Sequence, residues 1–524
     1  MEILRLNIEG TEQAASESEI RLQVALLAAT AAVAASLIAR FVFDAPLIPE
    51  LLAQFIFAVA PIWAVEAAVG MLGPFAKHLA FIACVVVFLI ALIAAALAYL
   101  RVVRARPSAM SRGVSVALFT MAAWAAALFI VIPILGGGVA GRYLRQGAAF
   151  TSISMFAVFA VYGAALYAAL KLYIDNQANE TRAADLISRR RVVRGVGYAV
   201  LAAGIYDIAR SLFDSWVNSG SGRAHGGDGI FPNIDNLALE ITPTKDFYEV
   251  SKNAFDPQVD AQRWRLEIGG LTDNPISLTY EEIKSLPSVE QYATLACISN
   301  EVGGDLIGNA LWRGVRLKDL LQQAGLREGV VDIVLRAKDD YTDSIPLERA
   351  MNDATLLVYE MNGEPLTPTH GFPARLIVPG IYGMKNVKWI TRIEAVDYDL
   401  KGYWQRRGWN DRAEYKTMSR VDAPDKTVNG EAAIAGIAFA GDRGVSKVEV
   451  TTDGGKTWEE ATIKQPLSPY TWVLWSKQWI PAQPGKHKIV VRATDGRGVT
   501  QTSQYAPPAP DGSSGYHGKV VNSE

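Results

Sequence analysis

Cysteine and histidine are scarce in this chain, and charge of either sign is nearly balanced. The 524 residues include two cysteines, Cys84 and Cys297, and five histidines. No Cys-x-x-Cys, Cys-x-x-Cys-His or Cys/His cluster occurs, which excludes the usual zinc ligand sets and covalently attached haem. Haem held by two imidazoles needs histidines facing each other across helices. Only His78 lies in the apolar first two hundred residues, so no haem is predicted. Cys84 sits in an apolar run and Cys297 in a globular one, so no structural disulfide is expected. That leaves the compartment open, because an exported protein need not carry disulfides. A net charge of −2 supplies no basic field, and nucleic acid is excluded as a partner.

What the chain does have is apolar sequence, crowded into one half. Segments long enough to span a bilayer recur near Ile20–Phe43, Leu51–Leu72, Leu79–Leu100, Val114–Leu135 and Phe150–Leu172. A weaker sixth runs from Val196 to Phe213 and carries Asp207 and Arg210. Residues 1–215 therefore read as a transmembrane domain of five to six helices surrounded by lipid. Arg101, Arg104, Arg106 and Arg112 follow the third segment, and Arg182, Arg189, Arg190, Arg191 and Arg194 precede the sixth. Both groups belong on the inner side, which puts the N-terminal arm, with Glu9, Glu12, Glu17 and Glu19, outside. If the sixth segment crosses, everything after it also lies outside. The expected location is a prokaryotic plasma membrane, multi-pass, with the later domains on the outer face; failure of the sixth segment to cross leaves them in the cytoplasm. Ser188-Arg189-Arg190-Arg191-Val192-Val193 ahead of an apolar stretch is similar to a twin-arginine export signal, with Val192-Val193 in place of the usual Phe-Leu; an ordinary positive-inside cluster is the alternative.

Ser219-Gly220-Ser221-Gly222 and Gly226-Gly227-Asp228-Gly229 mark residues 216–233 as a linker. Beyond it, Trp264–Ile268 and Asp332–Leu335 read as strands, Glu281–Lys284 and Leu317–Ala324 as helices, the latter closed by Gly325. Residues 234–423 are thus an α+β domain. From 424 the texture changes to alternating runs, Ala432–Ala440, Lys447–Thr452, Thr471–Ile480 and His487–Thr494, separated by glycine turns. That pattern predicts an immunoglobulin-like β-sandwich over 424–506. Residues 507–524, rich in Pro, Gly and Ser, are expected to form a flexible tail.

Cys297 stands in Thr294-Leu295-Ala296-Cys297-Ile298-Ser299-Asn300-Glu301-Val302-Gly303-Gly304, a strand-like lead-in giving way to a polar turn. A cysteine so presented is either a small buried hydrophobe or a functional thiol at a strand end, and the residues alone leave both open.

A series of further motifs follows in order: Leu311-Trp312-Arg313-Gly314-Val315-Arg316-Leu317, Tyr341 through Pro346, Tyr359-Glu360-Met361-Asn362-Gly363, His370-Gly371-Phe372-Pro373-Ala374-Arg375, Asn386-Val387-Lys388-Trp389 and Trp404-Gln405-Arg406-Arg407. With Cys297-Ile298-Ser299-Asn300, the stretch from Phe247 to Ala423 resembles the molybdopterin-binding domain of the sulfite oxidase family. The resemblance implies a membrane-anchored oxidoreductase with a Mo-molybdopterin cofactor, in which Cys297 ligates molybdenum and is the catalytic residue. It implies cofactor contacts from Tyr248, Glu249, Asp339, His370, Arg375, Asn386, Val387 and Lys388. A planar guanidinium, an ammonium and an imidazole are apt donors for a pterin phosphate, and a soft thiolate suits the metal. Val448 through Trp458 resembles the family's C-terminal dimerisation domain, which raises a homodimer as an option. The partners implied are a small-molecule substrate and a separate electron carrier, a cytochrome or a quinone-linked protein.

The sequence departs from sulfite oxidases where substrate would bind. Val250-Ser251-Lys252-Asn253 stands in place of an Arg-Asn-His stretch, Glu301 and Val302 replace arginines after the cysteine, and Trp409 holds the place of a tyrosine. Fewer cations and one more carboxylate disfavour a dianion. Oxygen-atom transfer on a neutral sulfoxide or N-oxide is the expectation; a sulfite dehydrogenase, or a non-catalytic membrane scaffold that retains the fold, are the alternatives.

Overall fold

The computed structural model describes residues 2–61, 64, 75–105, 111–144, 146–173, 231, 234–253, 256–425 and 427–524. The sixth apolar segment Val196–Phe213, the arginine run with its twin-arginine motif and the glycine-serine tether lie outside the described residues.

Up to residue 173 the elements are α1 (Glu2–Phe43), α2 (Ile48–Val59), α3 (Phe75–Ala105), α4 (Arg112–Ala126) and α5 (Gly147–Tyr173). A π-helical turn, Ala127–Val131, carries α4 on to Ile134. Pro133 lacks an N–H and its ring crowds the carbonyl one turn back, so the ladder widens just ahead of it. Among the described residues, helices over Ser18–Phe43, Leu79–Val103, Arg112–Ile134 and Gly147–Leu172 are long and apolar enough to cross a membrane. The expected span Leu51–Leu72 is not among them. Its described part is the twelve-residue α2, about 18 Å long at 1.5 Å per residue against a core of about 30 Å. Ala60 leaves the helix in an extended conformation, as the residue before a proline tends to do. Glu50, at the start of α2, accepts from Arg40 Nε at 2.7 Å and from its Nη2 at 3.3 Å, and Asp44 accepts from Nη1 at 2.6 Å.

The rest of that expected span lies outside the described residues, and two hydrogen bonds show which ends of the described helices meet. Gln146, just before α5, donates to the carbonyl of Asp44, just after α1, at 2.9 Å. Tyr99 near the end of α3 bonds Ser115 near the start of α4 at 3.0 Å. Helix α1 therefore begins at the end of the bundle that carries Arg101 and Arg112, where five spans would have put it opposite.

Among its described residues, the second unit carries eighteen strands in sheets. In chain order the first ten are β1 (Arg265–Gly270), β2 (Ile276–Thr279), β3 (Val289–Ala296), β4 (Ile307–Arg316), β5 (Asp332–Ala337), β6 (Thr342–Pro346), β7 (Leu356–Met361), β8 (Glu364–Pro365), β9 (Arg375–Ile377) and β10 (Ile390–Val396). One sheet runs β2-β1-β10-β5-β6; the other runs β3-β4-β7-β8, with β9 paired to β7. Short helices α6 (Tyr280–Ser285) and α7 (Leu317–Ala324) join them. Thr279 and Glu282 cap α6 reciprocally. In α7, Leu317, Leu320, Leu321 and Ala324 are buried at helical spacing, and Gly325 ends the helix at φ +69°, a left-handed turn that glycine adopts without strain. That face packs into a core shared with Leu266, Ile333, Ile393 and Val387.

β11 (Met418–Ala423), β12 (Ala432–Phe439), β13 (Val445–Thr451), β14 (Glu459–Glu460), β15 (Thr462–Ile463), β16 (Val473–Trp479), β17 (Gly485–Asp495) and β18 (His517–Ser523) make two four-stranded sheets, β11-β12-β16-β15 and β14-β13-β17-β18. Ile434, Ala438, Val473 and Trp475 from one share a core with Val448, Val450, Ile489 and Val491 from the other. The tail expected to be flexible is part of this fold. β18 pairs antiparallel with β17 from Gly485↔Ser523 to Val491↔His517, burying Val521. Its glycines serve turns ahead of the strand: Gly512 and Gly515 adopt φ +84° and +122°.

Candidate active site

Cys297 follows β3 directly, and the loop that it opens is closed on itself. β3 pairs with β4 up to Ala296↔Ile307, the Cys297 amide donates to Leu306 O at 2.9 Å, and Asn300 Oδ1 accepts from Leu306 N at 2.9 Å. Arg420 Nη1 and Ser513 Oγ brace the loop from outside, donating to Gly304 O and Asn300 O at 2.8 and 2.7 Å. Gly303 has φ +79° and would set a Cβ into the His517 ring, so only glycine fits. The Cys297 sulfur lies 2.9 Å from Ser299 Oγ. Burial pushes its thiol pKa up, against hydrogen bonds from Ser299 and Ile298; a bound metal's charge reverses that preference and takes the proton.

Tyrosines surround the thiol. Tyr415 Oη accepts the Ala296 amide proton at 3.1 Å, and its ring packs against Tyr382 at 4.7 Å. The Tyr248 hydroxyl lies at Gly383, where any Cβ would strike it at 2.5 Å. Burial pushes the Tyr382 pKa up to about 12 and raises those of Tyr248 and Tyr415, and the charge of Cys297 acts in the same direction on each.

A cationic cradle forms around Arg375, at the start of β9. Its guanidinium is buried, donates from Nη1 to His370 O and from Nη2 to Asn386 O, each at 3.2 Å, and lies 5.3 Å from the Trp312 ring centroid. Its Nε has no partner, and none of the ion pairs of the described residues includes it. Burial lowers its pKa to about 10. A guanidinium without counter-charge in such a place fits an anion. Gly371, at a φ of +109° that favours glycine, separates Arg375 and Lys388, where a Cβ would meet both of theirs at 3.1 Å, and Lys388 Nζ donates to Thr369 O at 2.8 Å. The residues present thus fit a pterin phosphate.

Other expected contacts fall out differently. His370 Nε2 lies 2.9 Å from Thr244 O, and a carbonyl only accepts, so that nitrogen must carry the hydrogen. Burial lowers the ring's pKa to about 4, which leaves it one N–H, already committed. His370 thus ties down the 244–248 segment, its ring 5.7 Å from Phe247, rather than offering a free donor. Asn386 and Val387 serve the scaffold. Asn386 Oδ1 accepts from Val378 N at 2.6 Å, and Val387 is in the core. Glu249 is exposed and not drawn into the cluster. Asp339 accepts from Asn253 Nδ2 at 2.8 Å and Tyr341 N at 3.1 Å, with Lys252 Nζ at 3.8 Å.

Some members were not foreseen. Lys252 and Arg407 approach the Tyr403 ring at 5.6 and 3.6 Å, so cationic groups gather there although the expected arginines are missing. Lys385 is buried and bonds Asp343 Oδ1 at 3.0 Å and Ser344 O at 2.8 Å. A small cavity of about 30 Å³ opens beside the Cys297 loop, walled by Ala296 and Asn300–Gly303, by Tyr382 and Tyr415–Ser419, and by Ser513–Gly515. Glu301 and Lys416 both line it.

Comparison with known proteins bears on the same residues. Residues 253–404 match the oxidoreductase molybdopterin binding domain, and residues 415–506 match the Mo-co oxidoreductase dimerisation domain. Mitochondrial sulfite oxidase of Rattus norvegicus is 33% identical over 319 residues, 51% of this chain and 58% of that protein. Sulfite oxidase of Arabidopsis thaliana is 31% identical over 287 residues, 45% of this chain and 73% of that protein. In fold, the chain is similar to the crystal structure of the sulfane dehydrogenase SoxCD from Paracoccus pantotrophus, with TM-score 0.50, 23% identity, and coverage of 59% of this chain and 92% of that one.

Proposed function

The chain belongs to the sulfite oxidase family of molybdopterin-dependent oxidoreductases, and from that premise we propose that it transfers an oxygen atom to or from a neutral sulfoxide or N-oxide. Bound at Cys297, the Mo-molybdopterin cofactor supplies two-electron redox chemistry and the exchange of the oxygen atom. The protein's own residues do the rest. Cys297 offers the thiolate, Arg375 and Lys388 offset the phosphate charge, and the tyrosines exclude water from the sulfur's surroundings.

The observation that supports this reading is Arg375, a buried cation with an unpaired Nε and no carboxylate partner among the described residues. A scaffold that no longer bound an anion would have no use for it. The preference for a neutral substrate rests on Glu301 and Lys416, which give the cavity beside the Cys297 loop no excess of positive charge. Lys252 and Arg407 around Tyr403 favour the second reading, a sulfite dehydrogenase. Purified holoenzyme should reduce methyl phenyl sulfoxide or trimethylamine N-oxide with a viologen donor. Efficient sulfite oxidation without any such reduction would overturn the substrate assignment.

The apolar helices support membrane attachment, with the arginine-bearing end of the bundle and the N-terminal arm both inside. If Val196–Phe213 crosses, the catalytic domain faces outward. An electron carrier is separate, and the domain over 415–506, read as an immunoglobulin-like sandwich, is a candidate surface for pairing two chains.

A further inference from the structure

Helices α4 and α5 meet closely at one point and leave a slot around it. A Cβ on Gly163 would strike Thr120 Cγ2 at 2.7 Å, so the two helices touch there with no side chain between them. Over that floor lies an open apolar groove of about 350 Å³. Trp124 and Phe156 close one end, their ring centroids 5.8 Å apart and edge to face. The indole N–H is spent on Ser152 O at 3.1 Å, which leaves only apolar indole surface to the slot. Gly113 and Tyr167 form the other end, and the small side chains of Ala117, Ala160 and Ala164 leave the space between. The rise from Gly113 to Trp124 is about 16 Å at 1.5 Å per residue, half of a hydrocarbon core of about 30 Å. The slot is one leaflet deep.

Its Gly113 end is the basic one. Arg112 precedes Gly113, Lys171 stands one turn beyond Tyr167, and both are exposed. Arg101 lies at the same end, where Tyr99 of α3 bonds Ser115 of α4 at 3.0 Å. Glu19 and Arg21, at the start of the first span, offset each other. The described charges at this end therefore sum to a positive surplus.

We propose that the groove between α4 and α5 holds one acyl chain of an anionic phospholipid, with its phosphate beside Arg112 and Lys171, an inference that rests on the membrane reading of these helices and is independent of the oxygen-transfer chemistry. Depth, walls and charge suit that occupant together. A slot one leaflet deep takes a single chain, and its mouth opens where a headgroup would sit. Each basic residue near the surface favours an anionic headgroup by about 5-fold, so a neutral phospholipid with the same chains is held less well. A helix laid in the slot would cover the apolar walls but bring no anion to the cations at its mouth.

The test is native mass spectrometry of the full-length protein in mild detergent, mixed with palmitoyl-oleoyl phosphatidylglycerol or with the matching phosphatidylcholine. Wild type should keep one phosphatidylglycerol per chain at a collision energy that strips phosphatidylcholine. Two variants separate headgroup from chain. Arg112→Gln should weaken retention of phosphatidylglycerol by about 5-fold and leave phosphatidylcholine unaffected. Ala160→Phe combined with Ala164→Phe fills the slot and should lower retention of both lipids by at least about 10-fold. If the filled variant misfolds, Arg112→Gln alone decides. Equal retention of the two lipids by wild type would overturn the proposal, as would phosphatidylglycerol retention that Arg112→Gln leaves unchanged. A groove covered by a second copy or by another segment of this chain would show as wild type that keeps no lipid, which also overturns it. Wild type that stays soluble once detergent is removed would instead sink the membrane reading itself.

Discussion

The guanidinium of Arg375 lies over the indole of Trp312, 5.3 Å from its centroid, and both side chains are buried. No carboxylate among the described residues pairs with that charge, so it costs stability until an anion arrives. Arg375→Met should therefore act in opposite directions on the two forms. The cofactor-free protein should be as stable as wild type, or more so by up to about 3 kcal/mol, while cofactor retention falls at least tenfold. Urea unfolding and phosphate analysis of the purified variant check both, and a strongly destabilised cofactor-free variant would contradict the account.

Burial also sets a pH dependence through His370, whose pKa is lowered to about 4 from the usual 6.5. Between those values the unfolded chain binds a proton that the folded one does not, so stability rises with pH from about 4 to 6.5 and is flat above. The contribution is about 3 kcal/mol across that window. His370→Gln should remove it, flattening the difference between urea midpoints of cofactor-free protein at pH 4.5 and 7.5. A variant with wild-type pH dependence would exclude this origin.

The bond from Gln146 to Asp44 places the N-terminal arm with the arginines of the α3–α4 turn. Single cysteines introduced by Glu12→Cys and Ser108→Cys should react with a membrane-impermeant thiol reagent from the same side of sealed vesicles. Labelling from opposite sides would restore a fifth span.

Deleting residues 507–524 should not be benign. It removes β18, the Ser513 bond to Asn300 and the His517 ring under Gly303. A loss on the order of 3 kcal/mol, from the buried surface of one strand, should appear as a lowered Tm with reduced molybdenum content. An unchanged Tm would show the segment to be dispensable.

Much of this was legible in the sequence, and the failures have physical causes. Periodicity marked α7 and its Gly325 stop, and alternation marked β12, β13, β16 and β17, because those signals are local. Hydropathy could not see that the run from Leu51 leaves the helix before Pro61, or that Glu50 in α2 is claimed by Arg40. Composition misjudged the tail because Gly512 and Gly515 were read as flexibility when they shape an ordered corner. Cys297, Arg375 and Lys388 were named from their motifs. Tyr415, Lys385 and Arg407 were missed because their roles depend on neighbours distant in sequence: Ala296, Asp343 and Tyr403.

The most direct test of the central claim is metal analysis of the full-length protein beside its Cys297→Ser variant, both expressed with adequate cofactor supply. The account predicts about one molybdenum per wild-type chain, with its thiolate signature, and turnover abolished in Cys297→Ser. Wild type free of molybdenum, or Cys297→Ser with undiminished metal and turnover, would contradict it.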